Sequence, residues 1–213
     1  MTIAHHIWAL ADFNGVIGLQ PDDSDWADLA RIAGWDPHDL PAFRARFWQL
    51  RDHYDRGTLD AHVFWDRMGT PEARLDEAIG HDTNMWLRSD PEVLDHLAQA
   101  REAGTRLALL SNAPHPLARA IEQQPWAGEF ELLSFSCDVK ANKPSAHAYE
   151  ATLAGMDLGR HGRRGVLMID DRADNIDAAI DLGLQGHWHT PHGPRLDHVL
   201  RDHRNRVALP GHH

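Results

Sequence analysis

Four short, largely apolar runs set the strongest limit on what this chain can fold into: residues 7–11, 105–110, 132–135 and 166–169. Each gives way to polar or glycine-containing residues. Runs of this length without strict alternation read as strands buried on both faces of a parallel sheet. Helical patterns over residues 116–122, 144–153 and 174–182 separate or follow the later runs, and a fifth strand is expected at 185–189. Strand and helix in alternation predict an α/β fold: a Rossmann-like, doubly wound parallel sheet.

About ninety residues lie between the first run and the second, far more than a βα crossover requires. An inserted helical bundle is therefore expected at residues 19–87, with the α/β core made of residues 1–18 and 88–213. Trp26, Leu29, Ile32 and Ala33 share one helical face, and Phe43, Phe47, Leu50 and Tyr54 share the next. Thr58 is expected to cap a helix carrying Val63, Trp65 and Met68, and Thr70-Pro71 to start another. Asp90-Pro91 repeats that start signal where the chain returns to the core. Among the aromatic residues of the insert, Trp26, Trp35, Phe43, Trp48 and Trp65 are read mainly as bundle core.

A net charge of −11 gives no basic field for a nucleic-acid backbone, so no nucleic-acid partner is expected. Cys137 is the sole cysteine, which excludes an intrachain disulfide. The amino-terminal residues lack a charged leader, and Asp12 stops the first apolar run well short of a membrane span, so a cytoplasmic location with no membrane partner is expected. His187, His189 and His192 fall in a Gly/Pro-containing stretch without matching acidic or cysteine ligands and are read as loop residues; His212 and His213 are read as tail. Monomer and homodimer both stay open.

In an open parallel sheet, ligands bind beyond the carboxyl ends of the strands. The first run ends in Asp12-Phe13-Asn14-Gly15-Val16, the second in Ser111-Asn112 and the fourth in Asp170-Asp171, while Lys143 opens the helix after the third. Singly, each is an ordinary turn or cap residue. Together they fall on one rim in an order that makes one chemical site.

These elements resemble the haloacid dehalogenase superfamily with a helical cap after its first motif. The resemblance rests on DFNGV (12–16), LLSN (109–112), Lys143-Pro144 and MIDDRADN (168–175), and RGTLDAHVFW (56–65) is similar to the cap segment of sugar-phosphatase-like members. It implies a hydrolase, a magnesium-dependent phosphatase of a small phosphorylated molecule. Asp12 would be the nucleophile and form a phosphoaspartyl intermediate. Ser111 and Lys143 would hold the phosphoryl oxygens, with Asn112 assisting substrate placement and the Gly15 amide cradling phosphate. Mg2+ would be held by Asp12, Asp171 and the backbone carbonyl of Asn14, with Asp170 acting through water, and Asn175 would brace the fourth-motif loop.

One position departs from the pattern. Phosphatases of this group carry an aspartate two positions after the nucleophile as general acid and base, and this chain has Asn14. An amide supplies no acidic proton, a deficit on the order of 10²–10⁴ in rate. Either a residue of the cap, such as His53 or His62, donates the proton, or the substrate has a good leaving group. Two other readings remain open: a carbon-directed hydrolase such as a 2-haloacid dehalogenase, and a non-catalytic phosphate-binding regulatory protein.

Overall fold

Five strands, β1 (Trp8–Ala11), β2 (Arg106–Ser111), β3 (Leu132–Phe135), β4 (Val166–Asp170) and β5 (Gln185–Trp188), form one parallel sheet in the order β3-β2-β1-β4-β5. The computed structural model describes residues 6–208; the five residues at each end, His212 and His213 among them, and the side chain of Arg160 lie outside the described residues. Ala11 of β1 stands level with Leu109 on one side and Ile169 on the other. Strand order reverses at β1, and the crossovers diverge there to leave a crevice at the carboxyl ends. Every residue of β1 is buried, as its continuous apolar run requires. β2 and β4 run further than expected and take Ser111 and Asp170 into the sheet.

Between β1 and β2 the chain forms α1 (Asp23–Ile32), α2 (Leu40–Asp55), α3 (Ala61–Arg67), α4 (Leu75–Trp86) and α5 (Pro91–Glu102). The first four make a helical insert. The segments that carry the chain out and back lie side by side: the Leu19 amide donates to the Arg88 carbonyl at 2.7 Å, and the Asp90 amide to the Ile17 carbonyl at 2.8 Å. Asp22 caps α1 in a reciprocal box with Asp25. Helix α1 buries Trp26, Leu29 and Ala30, with Ala33 buried at its C-cap, and α2 buries Phe43, Phe47 and Tyr54. The Phe47 ring meets Trp26 edge-on at 5.1 Å and Phe64 edge-on at 5.5 Å. Trp48 sits at the edge of this packing: its ring meets Phe47 edge-on at 5.2 Å, yet the residue is 51% exposed.

Two helix starts differ from expectation. Asp60, a stronger cap than threonine, starts α3 by accepting from the His62 amide, while the Thr58 hydroxyl donates to the His53 carbonyl. Consequently α3 buries Phe64 and Trp65 and turns Val63 outward. After Thr70-Pro71 comes a 3-10 turn, Glu72–Arg74, and α4 begins only at Leu75. Asp90 caps α5 with Pro91 in its first turn, as the sequence predicts.

Beyond β2 come α6 (His115–Glu122), α7 (Ser136–Val139), α8 (Ala146–Ala154), α9 (Ala173–Asp181) and α10 (Leu196–Ala208). Alternate strand residues enter two separate apolar clusters, one on each face of the sheet. Trp8, Leu10, Ala108, Leu110, Val166 and Met168 pack with Ala148, Tyr149 and Leu153 of α8 and Ile176 and Ala179 of α9. Ala9, Ala11, Leu107, Leu109, Leu167 and Ile169 belong to the other cluster, which takes in α5, α6 and α10 and continues through Phe13 and Ile17 to Trp26, Phe47 and Trp86 of the insert. Sheet and insert thus share one apolar cluster. No helix of the described residues is long and apolar enough to cross a membrane.

Candidate active site

Asp12 follows β1 directly, its amide donating to the Ile169 carbonyl of β4 at 2.9 Å, and its side chain is almost wholly buried. Lys143 arrives on the loop between α7 and α8. Its Nζ lies 2.9 Å from Asp12 Oδ1 and 2.6 Å from Asp170 Oδ2, so two carboxylates compensate one buried ammonium. Asn112 fixes that loop: its side-chain oxygen accepts from the Lys143 amide at 2.8 Å and its Nδ2 donates to the Lys143 carbonyl at 3.0 Å. The Lys143-Pro144 peptide is cis. Asp170 also accepts on Oδ1 from the Arg172 amide and from Asn175 Nδ2, each at 2.9 Å. Both oxygens of Asp170 are therefore engaged by protein donors.

Gly15 and Asp171 meet at the front of the site. The Gly15 backbone has φ +78°, and a Cβ there would stand 2.1 Å from Asp171 Oδ2. Only glycine lets this turn run against that carboxylate. The side-chain oxygen of Asn14 and the hydroxyl of Ser111 are buried without a hydrogen-bond partner among the described residues. Such atoms cost free energy until a ligand or water meets them. Ser111 and Asp170 are fully buried and Gly15 is half-buried, none of them lining the cavity of about 470 Å³ that Asp12, Asn14, Asn112, Lys143 and Asp171 do line.

Burial raises the Asp12 carboxyl above the ordinary carboxylate range; Lys143 opposes the shift, and Asp170 and Asp171 add to it. Asp171 is raised as well, first by burial and then by Asp170. Negative charge is in excess at this rim. Ligand atoms of Asp12, Asp170 and Asp171 all lie within 4.8 Å of one another, a donor set that suits a hard divalent cation. Because Asp170 spends its oxygens on Lys143, Arg172 and Asn175, Asp12 and Asp171 are the two with coordination to spare.

The insert closes the cavity from the other side with Trp48, Arg51, Asp52, Asp55 and Trp86. Arg51 is buried; its Nε donates to Asp55 Oδ1 at 2.6 Å, its Nη1 to Asp82 Oδ1 at 3.2 Å, and the guanidinium lies 5.0 Å from the Phe47 ring centroid. Asn142, next to Lys143, donates through Nδ2 to the carbonyl and to Oδ1 of Asp52, both at 2.8 Å, and the Ser136 hydroxyl donates to the Asp55 carbonyl at 2.5 Å. The end of α2 is thus bolted to the elements that present Lys143. Burial pushes the Asp55 carboxyl up to about 7 against the opposing pull of Arg51.

The expectation that His53 or His62 faces the site is not met. Neither lines the cavity; His53 is exposed beside Thr58, and His62 pairs with Asp76 at 2.8 Å on the surface of the insert. His53 falls on an exposed position of α2 and His62 on an exposed position of α3. Arg51 and Asp55 were the residues to find. The signal is a charge on an apolar face, since Arg51 follows Phe47 by one turn and Asp55 follows Arg51 by another.

The family model of haloacid dehalogenase-like hydrolases matches residues 24–183, and the chain belongs to that family of hydrolases. A search of curated proteins finds no match. Among solved structures, the HAD family enzyme BT-2542 of Bacteroides thetaiotaomicron superposes with a TM-score of 0.71 at 18% identity, over 88% of this chain and 95% of that one. The same enzyme is known in complex with magnesium and inorganic phosphate. A HAD phosphatase of Thermococcus onnurineus gives a TM-score of 0.63 at 19% identity, over 89% and 88% of the two chains. L-2-haloacid dehalogenase of Xanthobacter autotrophicus with covalently bound chloropropionic acid gives 0.59 at 15% identity, over 84% and 75%.

Proposed function

We propose that the protein is a magnesium-dependent phosphatase of a small phosphomonoester, acting through an aspartyl-phosphate on Asp12. The observation that carries this reading is the cluster of Asp12, Asp170 and Asp171, with carboxylate atoms within 4.8 Å of one another and the Lys143 ammonium paired to the first two. A carbon-directed reaction that expels halide has no need of so many carboxylates, whereas a cation and a phosphoryl dianion use them together. The magnesium and phosphate bound by BT-2542 agree with it.

Asp12 attacks phosphorus, the bond from phosphorus to the leaving oxygen breaks, and water then attacks the same phosphorus to free inorganic phosphate and return the carboxylate. Lys143 faces the phosphoryl oxygens and favours charge on Asp12 in opposition to its burial, while the hydroxyl of Ser111 and the amide of Gly15 supply donors. Asn112 acts by holding the Lys143 backbone. Asp12, Asp171 and the Asn14 carbonyl would hold magnesium, with Asp170 acting through water, and the bound ion would supply neutralisation of carboxylate charge and Lewis acidity. The insert serves as the cap, on a core of residues 1–18 and 88–213. The partner is a small molecule in the cytoplasm, neither nucleic acid nor membrane, and the protein works as a monomer or homodimer.

Release of inorganic phosphate from a panel of phosphomonoesters, with magnesium or with EDTA, tests this. Wild type should release phosphate only with magnesium, and Asp12→Asn should release none. Chloride release from 2-chloropropionate without magnesium, and no phosphate from any ester, would establish the carbon-directed alternative. Phosphate binding with no turnover of either kind would make the protein a binder.

A further inference from the structure

Asn14 leaves the reaction without a proton donor on the nucleophile's own loop, and the structure offers one on the opposite wall. We propose that Asp55, at the end of α2, is the catalytic acid and base, an assignment that rests on the phosphatase reading above. It lines the same cavity as Asp12, Lys143 and Asp171, from the insert side, where a leaving group opposite Asp12 would be found. Its Oδ1 is held by Arg51, while Oδ2 receives no hydrogen bond from the described residues. The bond from Ser136 to its backbone carbonyl fixes its place relative to the core.

Charge balance explains why Asp55 can carry a proton although it touches an arginine. Arg51 is shared between Asp55 and Asp82, one positive charge for two carboxylates in a buried cluster. One proton makes that cluster neutral. Asp82 sits deeper, accepts also from Trp86 Nε1, and does not line the cavity, so Asp55 is the member that exchanges its proton with a bound substrate. The other charges near it are Asp52 on α2 and, lining the same cavity, Asp12, Lys143, Asp171 and Arg172. Asp52 is mostly exposed and paired with Arg56.

The step balances as follows. As Asp12 attacks phosphorus and the phosphorus–oxygen bond breaks, the proton of Asp55 moves to the leaving oxygen and an alcohol departs. In the second half Asp55, now a carboxylate, takes a proton from the water that attacks the aspartyl-phosphate. Phosphate leaves, and Asp12 and protonated Asp55 are regenerated.

Leaving-group dependence tests it, with p-nitrophenyl phosphate, whose phenolate departs without a proton, against phenyl phosphate. The quantity to read is kcat/KM, which covers only the half-reaction through loss of the leaving group. Asp55→Asn should leave the nitrophenyl ester nearly unchanged and slow the phenyl ester by about 10²–10⁴. Equal loss on both esters by a folded variant, or no loss on either, overturns the assignment while the phosphatase reading stands. Wild type that cleaves neither ester, nor any of the panel, removes both. If Asp55→Asn does not fold, the wild-type pH profiles decide. Cleavage of the phenyl ester should fall as the pH rises through about 7 relative to cleavage of the nitrophenyl ester, and parallel profiles overturn the proposal.

Discussion

At Gly15 the backbone enters the left-handed region with the Asp171 carboxylate against it, so the residue and the candidate metal ligand share one steric constraint. Alanine there carries a left-handed penalty of about 1–2 kcal/mol and also displaces Asp171. Gly15→Ala should fold and should lose about 10–100-fold in magnesium affinity by calorimetric titration, the scale seen when groups that orient a ligand are removed. Unchanged affinity would mean that Asp171 does not hold the ion. At this scale the sequence is most readable on the sheet side. Asp12, Ser111 and Asp170-Asp171 stand at the ends of strands, which the parallel sheet brings together whatever else the chain does, and Lys143 follows on the loop before α8. Asp55 is hidden because its partners are not local in the same way: Asp82 of α4 reaches Arg51 of α2 from thirty-one positions away, with the whole of α3 between them.

Helix α2 combines two jobs, an aromatic anchor in its middle and polar groups at its end. Phe47 touches Trp26, Trp48, Phe64 and Trp65 and carries the Arg51 guanidinium on its ring. Phe47→Ala should cost about 3–5 kcal/mol in urea unfolding, the range for a large aromatic removed from a packed interior. A smaller loss would mean that the insert collapses around the gap. The aromatic stripes of α1 and α2 are legible because their spacing is strict and long. The start of α3 is not, because Thr58 and Asp60 both offer capping oxygens and only packing of Phe64 and Trp65 chooses between them. Helix α10 escapes pattern reading for a different reason. Its buried side is just Leu196, Leu200 and His203 on a segment otherwise dominated by charge.

Over the whole molecule, stability and catalysis meet in the protons of the insert. Asp55 has an ordinary carboxylate value of about 3.9 when unfolded and is pushed up to about 7 in the fold, so the folded chain binds its proton more tightly. Its contribution to stability is complete below about pH 4 and is lost as the pH rises toward 7. Asn does not titrate. Wild type should therefore lose stability relative to Asp55→Asn between pH 4 and 7, read as diverging urea midpoints; midpoints that run parallel would show Asp55 ionised throughout. The α/β class and the existence of an insert are legible from strand alternation and a gap too long for a crossover. Strand order is not, since no local pattern records on which side of β1 a crossover returns. The place where the insert leaves and rejoins the sheet has a consequence for how such a chain can change. Ile17–Leu19 and Arg88–Asp90 form a single doorway, closed by backbone bonds that do not depend on the side chains beyond it. Closure of a loop whose ends already meet grows only slowly more costly with length. The detour can therefore lengthen, shorten or be replaced while β1 and β2 keep their register, so the wall that carries Asp55 can be remodelled for new leaving groups behind an unchanged doorway.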